Sequence, residues 1–329
     1  MKVAVVDLHP REGGFPAWAM ERLAERGVEV VETSVPKDVS QSAAADGRLD
    51  GDALAEAAAG CELLMSTGTV FGGEVLARLP DLRWVVRMGS GFENVPVEAC
   101  TAAGVVVANT PRANVRPVSE HAVALLLAAA RQIPVIDRAM HDGSWTNRGE
   151  WNAGIAGHTA VSLAAGVLGL IGFGAISQSV AHKLSVFDLA EIVAVDPAVS
   201  AEEMAAAGVR KVELPELLAA SDFVSVHVPH IEATTHLLGV DEFAQMKPSC
   251  ILVNTARGPV IDEAAMISAL RSGVIAAAAV DGARSRTLFR AAKPPCTQSD
   301  SSERRCLQCW RWSRWRQVTL SRSWRIWWS

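Results

Sequence analysis

A chain of 329 residues, half of them hydrophobic and a fifth charged, has globular composition with room for two domains, each with its own core. That composition excludes a disordered or collagen-like polymer. The net charge of −5 hides a division: residues up to Asp281 carry 20 basic and 34 acidic side chains, whereas 282–329 carry 11 and 2. Nucleic acid is not the expected partner. The N-terminus, Met1 to Asp7, turns charged before any secretory apolar core forms, and apolar runs such as 122–130 are too short for a bilayer. The expectation is a cytoplasmic protein without a membrane partner. Cys61, Cys100 and Cys250 lack metal or disulfide spacing and read as buried thiols, with no metal site.

In chain order, residues 1–110 alternate short β-branched runs (3–8, 28–33, 63–67, 82–88, 105–109) with helix-like stretches. The stretch 15–26 places Trp18, Leu23 and nearby alanines on one face. Such alternation predicts parallel strands joined by helices. Residues 117–140 read as one Ala- and Leu-rich segment, opening at Pro117-Val118-Ser119-Glu120 and interrupted by Pro134, that could join two domains. Residues 141–154 have neither helical nor strand period and read as a surface loop. From 166 the alternation resumes, with strands at 167–171, 192–195, 223–228, 251–254 and 275–280 and crossover helices at 175–184, 213–220 and 263–271. The fold class is therefore α/β, with two doubly wound domains.

The strand 167–171 runs into Gly172-Phe173-Gly174-Ala175-Ile176-Ser177, and a second strand ends at Asp196-Pro197. Gly172 would permit the tight turn, and Gly174 would let the backbone approach a pyrophosphate at the helix N-terminus, where unpaired N–H groups favour anions. Asp196 would accept hydrogen bonds from the ribose hydroxyls of NAD and repel the 2′-phosphate of NADP. Ser177 stands where the fingerprint has a third small residue that governs helix–strand packing. NAD is the expected cofactor, seated on Gly172, Phe173, Gly174, Ala175, Ile176, Asp196 and Pro197.

Four further segments carry a resemblance. They are Arg87-Met88-Gly89-Ser90-Gly91-Phe92-Glu93-Asn94, then Asn109-Thr110-Pro111 with Glu120-His121-Ala122, then His227-Val228-Pro229. The fourth runs from Met246-Lys247-Pro248 through Asn254-Thr255-Ala256-Arg257-Gly258-Pro259-Val260-Ile261-Asp262. In this order they resemble the motifs of the D-isomer-specific 2-hydroxyacid dehydrogenases over residues 60 to 281. The resemblance implies a flavodoxin-like substrate domain at 1–101, to which 286–329 would return, a Rossmann NAD-binding domain at 102–285, and a homodimer. It also implies that Arg257 grips the carboxylate of a small 2-hydroxy or 2-oxo acid and polarises its carbonyl. A guanidinium suits that role, offering two parallel donors and keeping its charge. Backbone amides around Ser90 and Gly91 would add anion contacts. His227, Val228, Pro229, Thr255 and Ala256 would line the cofactor cleft, and Asp281 would face the nicotinamide carboxamide. Phosphoglycerate, glyoxylate, hydroxypyruvate and a phosphonate analogue all remain open as substrates. His121 reads as a packed helix residue, His158 and His230 as loop histidines, and Arg112, where the family often has glycine, as a loop charge.

The chain departs from the family after Asp281. Reduction of a 2-oxo acid needs a proton as well as a hydride, and a histidine beside a carboxylate suits that step. The family's V-F-x-x-E-P would put the glutamate where Arg286 stands, and its later P-H segment falls near Val318, yet no histidine follows His236. The last 48 residues instead hold six of the ten tryptophans and three of the six cysteines. Three accounts stand: a shift of reading frame near codons 281 to 285, a basic Trp/Arg arm for nucleic acid or an acidic surface, and a zinc site at Cys306-x-x-Cys309, whose further ligands the sequence lacks. Activity of this chain as written is accordingly doubtful. The alternative function is a non-catalytic NAD-binding interaction protein, since the loop from Arg87 to Asn94 also resembles the C-terminal-binding co-repressors.

Overall fold

The computed structural model describes residues 1–6, 17–33, 51–66, 71–92, 95–141 and 160–281. The expected loop beyond His141, His158, Glu93, Asn94 and the tail 282–329 lie outside them. Contacts divide the chain into two units, Met1–Val115 and Arg116–Ser329.

In the first unit, β1 (Lys2–Val6), α1 (Ala17–Ala24), β2 (Glu29–Thr33), α2 (Gly51–Ala57), β3 (Leu63–Ser66), α3 (Gly73–Leu76), β4 (Trp84–Arg87), α4 (Val97–Ala102) and β5 (Val106–Asn109) follow one another. The strands make one parallel sheet in the order β2-β1-β3-β4-β5, the flavodoxin-like winding. Four consecutive residues of β1, Val3 to Val6, are buried, as a strand covered on both faces requires. Ala4, Val6, Leu54, Leu64, Val75, Val85 and Cys100 form the core. The boundary expected after residue 101 moves. β5 is in register with β4, Val106 opposite Trp84 and Asn109 opposite Arg87, so it belongs to the first sheet and the unit reaches Val115.

The second unit begins in α5 (Val115–Ala130), followed by α6 (Ile133–His141). Pro134 does not interrupt a helix. The break falls earlier, at buried Gln132 with φ 54°, and Pro134 sits in the first turn of α6, where a missing N–H costs nothing. Next come β6 (Val167–Ile171), α7 (Ala175–Leu184), β7 (Glu191–Val195), α8 (Ala201–Ala206), β8 (Arg210–Lys211) and α9 (Leu214–Ala220). The described part ends with β9 (Phe223–Val226), α10 (Val240–Gln245), β10 (Ile251–Asn254), α11 (Glu263–Ser272) and β11 (Ala277–Val280). The short edge strand β8 and the helices α8 and α10 add to the elements expected from sequence.

The second sheet is parallel, ordered β11-β10-β9-β6-β7-β8. Winding runs outward both ways from β6, so the order reverses between β6 and β9, and ligands of open α/β sheets bind at the carboxyl ends of strands at that point. One face packs Val193, Val224, Leu252 and Ala278 against α9 to α11. The other packs Leu168, Leu170, Val253 and Ala279 against α5 and α7 through Leu125, Leu126, Val180 and Leu184. No described helix is long and apolar enough to cross a membrane.

The amino edge of this sheet is tied by side chains. Asp222, just before β9, accepts from the Val167 amide through Oδ2 (2.9 Å) and from Lys247 Nζ through Oδ1 (2.9 Å). Ser221 Oγ donates to the Leu217 carbonyl at 2.6 Å. The lysine of the Met246-Lys247-Pro248 motif is thus a structural tie. Burial, with Asp222 beside it, pushes the Cys250 thiol up to about 12, which fits an inert core residue.

Candidate functional site

Gly172 leaves β6 with φ +88°, a backbone state that side chains rarely adopt. Its amide donates to the Val195 carbonyl at 2.8 Å, and a Cβ there would lie 2.8 Å from Val228 Cγ1 and 2.9 Å from the His227 carbonyl. Only glycine lets the β6 turn pass this close to the end of β9, so the tight turn sits at the topological switch. Gly174 differs: it is the N-cap of α7 with φ −75°, and a Cβ would meet nothing within 4 Å. Open space at a helix N-terminus, bordered by backbone amides, fits a pyrophosphate.

Asp196, after β7, accepts from the Phe173 amide through Oδ2 (2.8 Å) and from the Ala198 amide through Oδ1 (2.8 Å). The carboxylate is held at the turn while each oxygen keeps a further acceptor position for a ribose hydroxyl. Phe173 itself shapes the turn: its ring is in the core and its amide is taken by Asp196. Ala175 is exposed and Ile176 half-buried at the start of α7, and Pro197 is exposed beyond Asp196. Ser177 is fully buried beneath them, as expected of a packing residue, and its hydroxyl has no partner.

Across the switch point, the His227 amide donates to the Ile171 carbonyl at 2.8 Å and its Nε2 lies 2.9 Å from Ser225 Oγ. Burial pulls its pKa down to about 4, so the ring is neutral near pH 7. Val228 is half-buried and Pro229 exposed, its carbonyl accepting from Thr234 Oγ1 at 2.6 Å. His230, expected as a loop histidine, lies 3.0 Å from Thr235 Oγ1.

Next along the carboxyl edge, β10 ends at Asn254, only 2% exposed, whose side chain clamps the following loop. Its Oδ1 accepts from the Ala256 amide (2.9 Å) and its Nδ2 donates to the Arg257 carbonyl (3.0 Å). The loop so fixed presents Arg257 to solvent, with Nη1 donating to the Ala256 carbonyl at 2.8 Å. Thr255, 9% exposed within this loop, has a buried hydroxyl without a hydrogen-bond partner. Asp262 caps α11, accepting from the Ala264 and Ala265 amides at 2.9 and 3.1 Å. Within the signature, then, Lys247, Asn254 and Asp262 are scaffold and Arg257 is the exposed group.

Asp281 follows β11, its amide donating to the Asn254 carbonyl at 2.8 Å. Its Oδ2 is 3.8 Å from His121 Nε2 on α5. The sequence reading of His121 as a packed helix residue missed this pairing. Asn254 was also missed, although an Asn three residues before a loop arginine is a recognisable local-bonding signal.

In the first unit, Gly89 has φ +131° and its amide donates to Thr110 Oγ1 at 2.7 Å. Asn109 Nδ2 donates to the Ser90 carbonyl at 2.9 Å, and Ser90 Oγ lies 2.9 Å from both the Pro111 carbonyl and Asn114 Oδ1. The Ser90–Gly91 loop is thereby fastened to the Asn109-Thr110-Pro111 segment. Arg112 is exposed on that segment.

Comparison with known proteins agrees with this geometry. Residues 123–299, more than half the chain, match the model of the D-isomer specific 2-hydroxyacid dehydrogenase NAD-binding domain, whose cofactor is NAD. D-3-phosphoglycerate dehydrogenase of Mycobacterium tuberculosis is 40% identical over 237 residues, 72% of this chain but 42% of that protein, so the chain spans less than half of that relative. Among solved structures, D-lactate dehydrogenase of Escherichia coli superposes with TM-score 0.70 at 26% identity, covering 88% of this chain and 85% of that one. D-mandelate dehydrogenase of Rhodotorula graminis gives TM-score 0.71 at 27% identity, covering 94% and 86%. On these matches and on the nucleotide cradle at the switch point of a Rossmann sheet, the chain belongs to the D-isomer specific 2-hydroxyacid dehydrogenase family.

Proposed function

We propose that the chain interconverts a small D-2-hydroxy acid and its 2-oxo acid by hydride transfer with NAD(H). The observation that carries this reading is the Asn254 clamp, which spends a buried side chain on presenting Arg257 at the same sheet edge as the Gly172–Gly174 turn. A forked, permanently charged donor matches a carboxylate and polarises an adjacent carbonyl. NAD bound along that edge supplies or accepts the hydride. Gly172, Gly174, Ala175 and Ile176 hold its pyrophosphate, Asp196 and Pro197 its adenosine ribose, and His227, Val228, Pro229, Thr255, Ala256 and Asp281 its nicotinamide half. A neutral His227 does not repel an oxidised, positively charged nicotinamide. In the first unit, the amides around Ser90 and Gly91 are proposed anion contacts.

The named relatives act on phosphoglycerate, lactate and mandelate, and a compact 2-oxo acid is the corresponding substrate class here. A homodimer in the cytoplasm is the proposed setting. The test is a titration of the full chain with NADH, followed by assay against pyruvate, glyoxylate, hydroxypyruvate and phosphohydroxypyruvate. Saturable NADH binding with turnover of at least one acid is expected. NADH binding without any turnover favours the non-catalytic interaction protein. Reading the gene across codon 281 in all frames tests the proposed frame shift in the tail; absence of any V-F-x-x-E-P or P-H counterpart defeats it.

A further inference from the structure

A dehydrogenase of this kind needs a proton donor, and the sequence beyond His236 contains no histidine. The described histidines differ in their surroundings. Burial keeps His227 uncharged in the working range. His141 faces Asp137 on its own exposed helix. His182 and His236 are exposed, and His230 pairs with a threonine hydroxyl. Among the described histidines, His121 alone has a carboxylate from another element within 4 Å, Asp281 at 3.8 Å.

The pairing joins positions 160 residues apart at one place, the carboxyl edge of the second sheet. Asp281 is bonded through its amide to Asn254, the residue that fixes the Arg257 loop. The His121 side chain is 26% exposed and that of Asp281 55%, so a small ligand can reach the pair without the imidazole lying in bulk water. On α5 itself, Glu120 and Arg116 are the charged residues nearest His121 in sequence. The α7 lysine that reaches α5, Lys183, donates to Ser119 and Ser179 at 2.9 and 2.8 Å.

We propose that His121, oriented by Asp281, is the proton donor and acceptor of this chain, so that the acid/base group lies within the second unit. The inference rests on the dehydrogenase reading above. In the reductive direction the His121 imidazolium releases a proton to the carbonyl oxygen while the carbonyl carbon accepts a hydride from reduced nicotinamide. The C=O π pair becomes the O–H bond, the cofactor is oxidised, and the neutral imidazole regains its proton from water. In the oxidative direction the neutral imidazole takes the hydroxyl proton. Asp281 turns Oδ2 toward His121, and its other oxygen would serve the cofactor carboxamide. At 3.8 Å the two side chains are just beyond hydrogen-bond distance, and ligand binding is expected to close the gap.

The test uses the full chain with two readouts. First, diethylpyrocarbonate modification of His121, followed by mass spectrometry, should slow several-fold when NADH and oxamate are both present. Second, H121Q should lower kcat for 2-oxo acid reduction by about 10²–10⁴-fold while keeping NADH affinity within about threefold. The pH-rate limb of the wild type should vanish in H121Q, free imidazole should restore part of the activity of H121A, and D281N should shift that limb. Turnover by H121Q at the wild-type rate, or unprotected His121, overturns the inference and leaves the dehydrogenase reading intact. A wild type that binds NADH and reduces no acid overturns both.

Discussion

The two edges of the second sheet are built from the same kinds of residue and treated differently. At the amino edge, polar groups are saturated: Asp222 holds the Val167 amide and the Lys247 ammonium, and Ser221 donates to Leu217. At the carboxyl edge, Gly174 leaves space that nothing fills, the Thr255 and Ser177 hydroxyls are buried without partners, and Arg257 and Asp281 are exposed. Open space at a helix N-terminus beside exposed charged side chains, at the topological switch, is where an open α/β sheet binds its ligand. The amino edge spends its side chains on stability, and the carboxyl edge keeps them for binding. Variants at the two edges should therefore separate stability from function.

The largest effect expected is at Arg257. Truncation to alanine removes the carboxylate anchor, worth about 2–5 kcal/mol for one partner of a charged hydrogen-bonded pair, or at least about thirtyfold in kcat/KM. Because the side chain is exposed, Tm should stay put and NADH affinity should change by less than about threefold. R257K, which keeps charge and loses the fork, should fall between. A matched loss of NADH affinity or of folding in R257A would mean that the arginine serves the scaffold, and the contrast between the edges would fail there.

His227 adds a pH dependence. Its folded pKa of about 4 lies below the 6.5 of the unfolded chain, so between these values the unfolded state binds more protons. The stabilisation is complete above about pH 6.5 and is lost as pH falls toward about 4, on the order of 3 kcal/mol in all. Thermal melts of the wild type and H227N across that range should show a shallower acid limb in the variant. Identical limbs would mean that the ring accepts a proton in place.

Gly174 gives a smaller and cleaner separation. Its φ of −75° suits any residue and its missing Cβ meets nothing, so G174V should cost no more than about 1 kcal/mol, as a poor N-cap residue does. The same methyl groups occupy the space proposed for the pyrophosphate, and NADH should bind about 10- to 100-fold more weakly. Unaltered NADH affinity would move the phosphate site away from the N-terminus of α7.

How much of this was legible in the sequence follows from how local each signal is. Strands buried on both faces announce themselves as short, mostly apolar runs, so β6, β9 and β10 could be placed from sequence. The Gly172-Phe173-Gly174 turn and Asp196 carry their spacing with them. The resemblance puts the unit boundary before β5, whereas the chain-order alternation groups 105–109 with the first strands, and its register with β4 bears out the alternation. The helix break was read at Pro134, whereas a left-handed Gln132 ends α5, a conformation glutamine gives no hint of. His121 looked like any polar residue in an alanine-rich helix because its partner is contributed by the far end of the chain. Motif resemblance drew attention to Lys247 and Asp262 along with Arg257, and only geometry sorts ties and caps from the exposed cation.

Lys247 is the test from the other edge. Its ammonium contacts Asp222 at 2.9 Å with both side chains about a third exposed, so the pair is partly screened and K247M should cost only about 1–2 kcal/mol. At about 2–4 °C per kcal/mol for a unit of this size, Tm should fall by several degrees. NADH affinity should hold within about twofold, because the tie is at the opposite end of β9 from the proposed nicotinamide contacts. D222N should lower Tm further, since it weakens acceptance from Val167 as well, and the double variant should cost less than the two single changes added together, as expected for residues in contact. If K247M instead weakens NADH binding at unchanged Tm, the lysine belongs to the ligand site and the division of labour between the two edges is wrong.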